Sequence, residues 1–288
     1  MRKYRSGGLY ASNADLRTVG LSILNSELLS PAETAAWMKP LAGTGSLVEM
    51  VGAPWEIARL TIPVAPGSER TRVSDLYMKI GGVGDYGTFL ALSPDHGIGF
   101  TVQVAGSTAP TARFQVRDVV GEAFIPAAEF ASLNNAKRNL EGTYFGAEEG
   151  TNMTLTVVED GAGLGVETLY VEGLDARSML LGEEPGIPLD ITIRAYPTKL
   201  NSVSNSLATL YEPNFTGSIA HRLVAYPSVV APRAAVEGGE RGGLFDNSAA
   251  WMNIDMSGTA DRLIFNFERG KLVSVKSAAV DRVFTRAE

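Results

Sequence analysis

The chain has 288 residues, a formal net charge of −7 and no cysteine. Without cysteine it has no disulfides, thiolate metal sites or cysteine nucleophiles, and an acidic chain lacking a basic stripe argues against nucleic-acid binding. Its length is sufficient for two domains. No apolar run reaches the roughly 18 residues of a membrane helix, so we expect no insertion into a membrane.

Two short helices are predicted first. Ser12 and Asp15 have the spacing of a capping box at the start of one helix. Ser30, Pro31 and Glu33 supply an N-cap, a first-turn proline and a capping glutamate for the next. These patterns predict two helical segments before residue 40.

An antiparallel meander and a long helix follow. The predicted strands cover residues 51–60, 72–80, 86–93 and 97–104. Short links between them suit hairpins rather than parallel crossovers. A helix is predicted over residues 111–140, with a kink at Pro126. Helices on both sides of a meander indicate an α+β fold.

The rest of the chain predicts short strands and no strong helix. The strands are expected at residues 153–158, 165–171, 189–196, 221–226, 249–255, 262–268 and 272–275. A glycine-rich stretch at 236–243 is interpreted as a loop. The pattern indicates an all-β barrel or sandwich. We therefore predict an α+β domain over residues 1–138 and a lipocalin-like barrel domain over residues 139–288.

Several motifs form an ordered series along the chain. They are residues 6–15, 52–57, Lys79-Ile-Gly-Gly82, 93–100, 142–144, Trp251 with Asp255, and 270–275. Together they resemble the serine β-lactamase and penicillin-binding-protein superfamily. The likeness is greatest to fungal, class C-like β-lactamase-related hydrolases that carry an extra C-terminal β-domain. The resemblance implies that the first domain is the later part of a transpeptidase-like domain.

The resemblance also implies a substrate-binding strand and a loss of chemistry. Lys79-Ile-Gly-Gly82 stands in the place of the family's Lys-Thr/Ser-Gly motif, and the amide of Gly82 would belong to the oxyanion hole. Ile80 replaces the hydroxyl residue of that motif. The family's nucleophile lies in a Ser-x-x-Lys motif, but no serine here has a lysine three residues on. Acyl transfer needs a nucleophile beside a base, so we expect a truncated member without acyl-transfer activity alone.

The candidate site residues follow from these motifs. The predicted substrate-binding residues are Lys79, Ile80, Gly81 and Gly82, and the weaker catalytic candidates are Lys79, Asp85 and Tyr86. A turn aspartate and a packed tyrosine are the plainer interpretation of the last two.

Neither histidine is predicted to act in a site. His96 is expected to be an exposed turn residue, and His221 a packed or edge residue. Two distant histidines without cysteine predict no metal site. The stretch Gly81–Gly84 is too short for a dinucleotide fingerprint, so no cofactor is expected.

The sequence supports three functional hypotheses, and it does not decide whether the chain is an enzyme. The first is the truncated hydrolase, which a complementing N-terminal half would restore. The second is a small-molecule-binding protein, or an isomerase or cyclase of secondary metabolism, using an interdomain cleft. The third is self-association through an exposed sheet edge. The absence of a signal peptide predicts a cytoplasmic location, or a secreted one if the chain is a fragment of a longer precursor.

Overall fold

The computed structural model describes residues 10–157, 163–181, 184–186, 191–201, 214–227 and 261–287. The strand expected at 249–255, with Trp251 and Asp255, and the loop expected at 236–243 lie outside these ranges. The contacts divide the described residues into two compact units, one up to Leu133 and one from Asn134 onward. Among the described helices, none combines the length and the apolar character needed to cross a membrane.

Both predicted N-terminal helices are confirmed, with their caps. Helix α1 spans Asn13–Leu24, and the Ser12 hydroxyl accepts from the Asp15 amide while the Asp15 carboxylate accepts from the Ser12 amide. Helix α2 spans Pro31–Trp37 and repeats this arrangement with Ser30 and Glu33. Each capping box satisfies amides that the first helical turn leaves unpaired.

A six-stranded antiparallel sheet forms the middle of the first unit. Its strands, in both chain order and spatial order, are β1 (Ala42–Gly43), β2 (Glu49–Val51), β3 (Glu56–Pro63), β4 (Thr71–Val83), β5 (Tyr86–Ser93) and β6 (Ile98–Ala105). Each strand pairs with its neighbour in the chain because the connections are short hairpins. The expected antiparallel meander is confirmed.

Helices cover both faces of this sheet. Helix α3 spans Ala109–Leu140 without interruption at Pro126. Its Ile125 and Phe114 pack on one face. On the other face, Leu24 of α1 packs with Trp55 and Tyr77. The alternation of side chains along each strand separates these two apolar layers.

The second unit contains a closed β-barrel. Its strands are β7 (Gly142–Phe145), β8 (Asn152–Thr156), β9 (Leu164–Val171), β11 (Ile191–Asn201), β12 (Gly217–Pro227), β13 (Arg262–Glu268), β14 (Lys271–Ser277) and β15 (Arg282–Arg286). These eight described strands close because β8 pairs with both β7 and β9. The two-residue strand β10 (Leu174–Asp175) adds to β9 outside the ring. A barrel, rather than a sandwich, is therefore the architecture.

Apolar side chains fill the barrel interior. Tyr144, Leu263 and Phe265 are among its fully buried residues. His221 stacks on Phe265 with ring centroids 3.9 Å apart, which confirms that it is packed. Burial lowers the pKa of His221 to about 4, despite its contact with the Ile219 carbonyl, so its imidazole is neutral at pH 7.

The last strand also caps the end of α3 within this unit. The Arg286 guanidinium donates to the carbonyl oxygens of Asn139, at 2.7 Å, and Glu141, at 2.9 Å. The Tyr144 hydroxyl donates to the Leu140 carbonyl at 2.7 Å. These donors satisfy carbonyl groups that the last turn of a helix leaves without an intrahelical partner.

Candidate functional site

The end of β4 presents an open strand edge. Strand β3 pairs with β4 from Pro63 opposite Thr71 to Glu56 opposite Met78, and no further. The remaining residues of β4, from Lys79 to Val83, pair with β5 alone. One edge of the Lys-x-Gly-Gly segment thus extends beyond the end of β3. This is the position at which the sequence predicts a substrate-binding wall.

The carboxylate of Glu56 occupies the first two hydrogen-bond donors on this edge. One Glu56 oxygen contacts the Lys79 ammonium, and the other accepts from the Ile80 amide at 2.8 Å. The Lys79 ammonium also donates to the Ile80 carbonyl at 3.2 Å. The Lys79 and Glu56 side chains are 44% and 40% exposed. The predicted positive charge is present, but Glu56 neutralises it locally.

The glycines of this segment make room for neighbouring side chains. A Cβ on Gly82 would lie 2.6 Å from a guanidinium nitrogen of Arg113, which donates to the Gly81 carbonyl at 2.5 Å. A Cβ on Gly81 would collide with Thr88. Only Gly84, with φ of +55°, needs glycine for its backbone conformation. Packing thus explains the two motif glycines without a ligand.

The turn residues Asp85 and Tyr86 lie at the tip of the β4–β5 hairpin. Tyr86 is 67% exposed, so the expectation of a packed tyrosine is wrong, because none of the described elements of the first unit covers its side chain. Asp85 is exposed as well. In the part of the chain that the structure describes, neither side chain makes a hydrogen bond.

A shallow depression brings only some of the predicted residues together. It measures about 330 Å³ and is lined by Ile80, Gly81, Gly82, Gly84, Tyr86, Pro110 and Arg113. Lys79 and Asp85 do not line it. Arg113 had no place in the sequence prediction, because its position over the hairpin depends on how α3 packs.

A larger apolar cleft lies between the sheet and α3, entirely within the first unit. Its volume is about 790 Å³. The sheet contributes Leu60, Met78 and Ile80, and the helix contributes Phe114 and Ile125. Ile80 is part of the open edge of β4, and Glu56, which accepts from the Ile80 amide, lines the cleft too.

His96 belongs to a buried polar cluster, so the prediction of an exposed turn residue is wrong. It is 5% exposed because its turn folds against Glu129 of α3. Its Nε2 lies 2.8 Å from a Glu129 oxygen and its Nδ1 lies 2.7 Å from the Ser93 hydroxyl. An imidazole that donates from Nε2 and accepts at Nδ1 satisfies both contacts.

Arg72 of β4 completes this cluster. Its guanidinium donates to both Glu129 oxygens, at 2.7 and 2.5 Å, and contacts Asp95 at 3.3 Å. Burial opposes ionisation of Glu129, but the hydrogen bonds from His96 and Arg72 and the charge of Arg72 outweigh it. The pKa of Glu129 is lowered to about 2. The carboxylate is therefore ionised at neutral pH.

The contacts from Ser93 to His96 to Glu129 follow the order of a nucleophile, base and acid in a catalytic triad, but these side chains are buried. Ser93 is 1% exposed and the His96 side chain is also 1% exposed. A nucleophile must reach a substrate atom, so this cluster ties α3 to the sheet instead of acting on a ligand. Glu129 lies 33 residues beyond His96, and no local pattern could have joined them.

No described group of three or more histidine, aspartate or glutamate side chains is arranged to hold a metal ion. The open edge of β4 and the neighbouring cleft therefore remain the candidate site. Its chemistry is that of backbone amides, one paired lysine and an apolar wall.

Comparison with known proteins gives a consistent family result. The family model described as "Beta-lactamase-like-like, C-terminal domain" matches residues 132–288. A "Beta-lactamase-like protein" of Arthroderma benhamiae is 29% identical over 73% of this chain and 37% of its own length. No solved structure shows significant similarity to the chain.

Two further relatives are named as hydrolases. "Probable hydrolase clz13" of Cochliobolus lunatus is 25% identical over 68% of this chain and 32% of its own length. "Probable hydrolase M10" of a Phoma species is 24% identical over 68% of this chain and 33% of its own length. The chain thus spans about a third of the length of the curated relatives it matches.

Proposed function

The chain belongs to the β-lactamase-like family marked by this C-terminal domain, and from that membership we propose that β4 supplies the substrate-binding strand of a hydrolase for ester or amide bonds. The observation that carries the proposal is the open edge from Lys79 to Val83, where β3 has ended. Backbone amides on such an edge are fixed donors, and they can stabilise the oxyanion of acyl transfer without reorganising.

The serine nucleophile and its base would come from a complementing N-terminal half, so the chain is a truncated member that does not perform acyl transfer by itself. Two facts support this. No serine precedes a lysine by three residues, and the Ser93 hydroxyl that contacts His96 is buried.

A covalent serine probe tests the proposal. We expect a fluorophosphonate to leave the chain unlabelled. A fusion that adds the part of the Arthroderma benhamiae relative preceding its matched region should become labelled and hydrolyse a p-nitrophenyl ester. In that fusion, Lys79→Met should lower the rate by about 10²-fold, since it leaves the Glu56 carboxylate without its counter-charge beside the developing oxyanion.

Lys39→Met is the matched control in the fusion, because Lys39 is an exposed lysine of the same unit that lines neither the depression nor the cleft. It should leave the rate unchanged. Specific labelling of a serine in the unfused chain would contradict the proposed need for a complementing half. A labelled, active fusion that is indifferent to Lys79→Met would contradict the role of β4.

The apolar cleft favours a second candidate function. A space of about 790 Å³ under α3 is large enough for a drug-sized apolar molecule. The chain would then be a small-molecule-binding protein, or an isomerase or cyclase of secondary metabolism. The cleft itself supports binding rather than proton transfer, because it is not lined by Lys79, Asp85 or Tyr86.

Thermal-shift screening with apolar metabolites tests this second function, because a ligand that binds only the folded state raises its stability. A shift should disappear in Leu60→Trp, which fills the cleft. It should persist in Val73→Trp, at a half-exposed position of β4 that does not line the cleft. A shift that survives Leu60→Trp, or no shift across the panel, would contradict binding in the cleft.

A further inference from the structure

Glu56 is placed to select the charge of whatever binds the open edge of β4. It is the first residue of β3 and pairs with Met78, the residue of β4 just before the open edge. Its side chain extends beyond the end of β3 along the edge of β4. One carboxylate oxygen contacts the Lys79 ammonium, and the other lies 2.8 Å from the Ile80 amide nitrogen. An ammonium beside a strand-edge amide is a donor pair suited to a carboxylate.

We propose that Glu56 determines specificity: it occupies this donor pair, so the site rejects carboxylate ligands and accepts uncharged esters or amides. This inference rests on the proposed function of β4. A ligand carboxylate would have to displace Glu56 and would meet a like charge only a few ångströms away. A neutral carbonyl oxygen meets no such repulsion.

The next amide on the same edge is available to that neutral oxygen. Alternate residues of a strand direct their amides to the same side, and the Ile80 amide points to Glu56, away from β5. The amide of Gly82 therefore points to the same open edge. Gly82 is exposed and lines the shallow depression.

The apolar wall beside this edge indicates the rest of the ligand. Ile80 lines both the depression and the cleft under α3. An ester or amide whose carbonyl lies at Gly82 can place an apolar group against Ile80 and in the cleft. The substrate class that the geometry fits is an uncharged ester or amide carrying an apolar acyl or alkyl group.

Amide NMR of the full chain tests this with benzoate and its neutral counterpart benzamide. In the unsubstituted chain, benzoate should shift the Ile80 amide signal only at high concentration, whereas benzamide should shift the Gly82 signal. In Glu56→Gln, benzoate should shift the Ile80 signal with a midpoint at least about fivefold lower than in the unsubstituted chain. Benzamide should bind both proteins equally.

Glu49→Gln is the matched control. Glu49 is an exposed glutamate of β2 that lines the same cleft but does not contact Lys79. It should behave as the unsubstituted chain does. The double variant Glu56→Gln/Lys79→Met should lose the benzoate response, because the ammonium is gone.

Three outcomes would overturn the proposal. They are equal benzoate midpoints with and without Glu56, no benzoate response in Glu56→Gln, and no benzamide response in either protein. The NMR titration needs no hydrolysis, so its result does not depend on whether the fusion reacts with a serine probe. The two proposals can therefore fail separately.

Discussion

The ion pair between Arg72 and Glu129 links the acid stability of the first unit to a single carboxylate. Its folded pKa is about 2, against an ordinary value of 4.5. As the pH falls below about 4.5, the unfolded chain takes up this proton first, so folding stability decreases until the folded carboxyl is also protonated near pH 2. The contribution is fully present at neutral pH and amounts to about 3 kcal/mol.

We therefore predict that Glu129→Gln lowers the free energy of unfolding of the first unit by about 3 kcal/mol at pH 7. It should lower it much less near pH 2, where the parent carboxylate is itself protonated. Urea unfolding followed by tryptophan fluorescence measures this. A Trp251→Phe background leaves Trp37 and Trp55, both in the first unit, as the reporters.

Glu122→Gln is the control for charge on α3, because Glu122 is an exposed glutamate of the same helix. Its effect should stay within about 0.5 kcal/mol. If Glu129→Gln caused an equal loss at both pH values, the ion pair would not be the source of the acid sensitivity.

At the residue scale, the sequence predicted the position of Lys79 but not its partner. The carboxylate of Glu56 reaches Lys79 because β3 and β4 pair with Glu56 opposite Met78. A shift of one residue would turn the side chain to the other face. Register is a property of the paired strands, so no pattern within residues 52–57 could have revealed this contact.

At the element scale, strand β6 forms an edge of the six-stranded sheet. By the alternation of amides from β4 through β5, residues Gly99, Thr101, Gln103 and Ala105 direct their amides away from β5. No described strand pairs with that side. Exposed edges of this kind pair readily with other strands.

We predict that the chain self-associates through β6 as its concentration rises, which sedimentation velocity across a dilution series would detect. Gln103→Pro should reduce this association, since it removes an outward amide without removing a bond to β5. The substitution therefore tests self-association, which is one of the three functional hypotheses drawn from the sequence.

Gln115→Ala, at an exposed position of α3, changes no backbone amide of β6 and should leave the sedimentation profile as it was. A monomer at every concentration would contradict the prediction.

The elements themselves were largely predictable. The strands expected at 86–93 and 262–268 form with those bounds, and both capping boxes form as expected. Strand β15 was not predicted, because its valine and phenylalanine are adjacent and do not alternate with polar residues. Five residues are a weak signal, and β15 gains its stability from β14 and β7 on either side.

At the scale of the whole molecule, the chain combines two units of different construction. The first is a sheet with helices on both faces, and the second is a closed barrel with an apolar interior. The barrel region coincides with most of the matched family model. Family membership is thus evident in the second unit, whereas the candidate site lies in the first.

By itself, the sequence determined the local elements, the α+β and all-β character of the two parts, and the family. Caps, turns and alternation are encoded within a few neighbouring residues, so a linear reading recovers them. Only the tertiary structure distinguished a barrel from a sandwich. It also showed that His96 is buried against Glu129 and that Glu56 contacts Lys79. Each of these depends on strand register or on packing between distant segments, which energies local to the sequence do not specify.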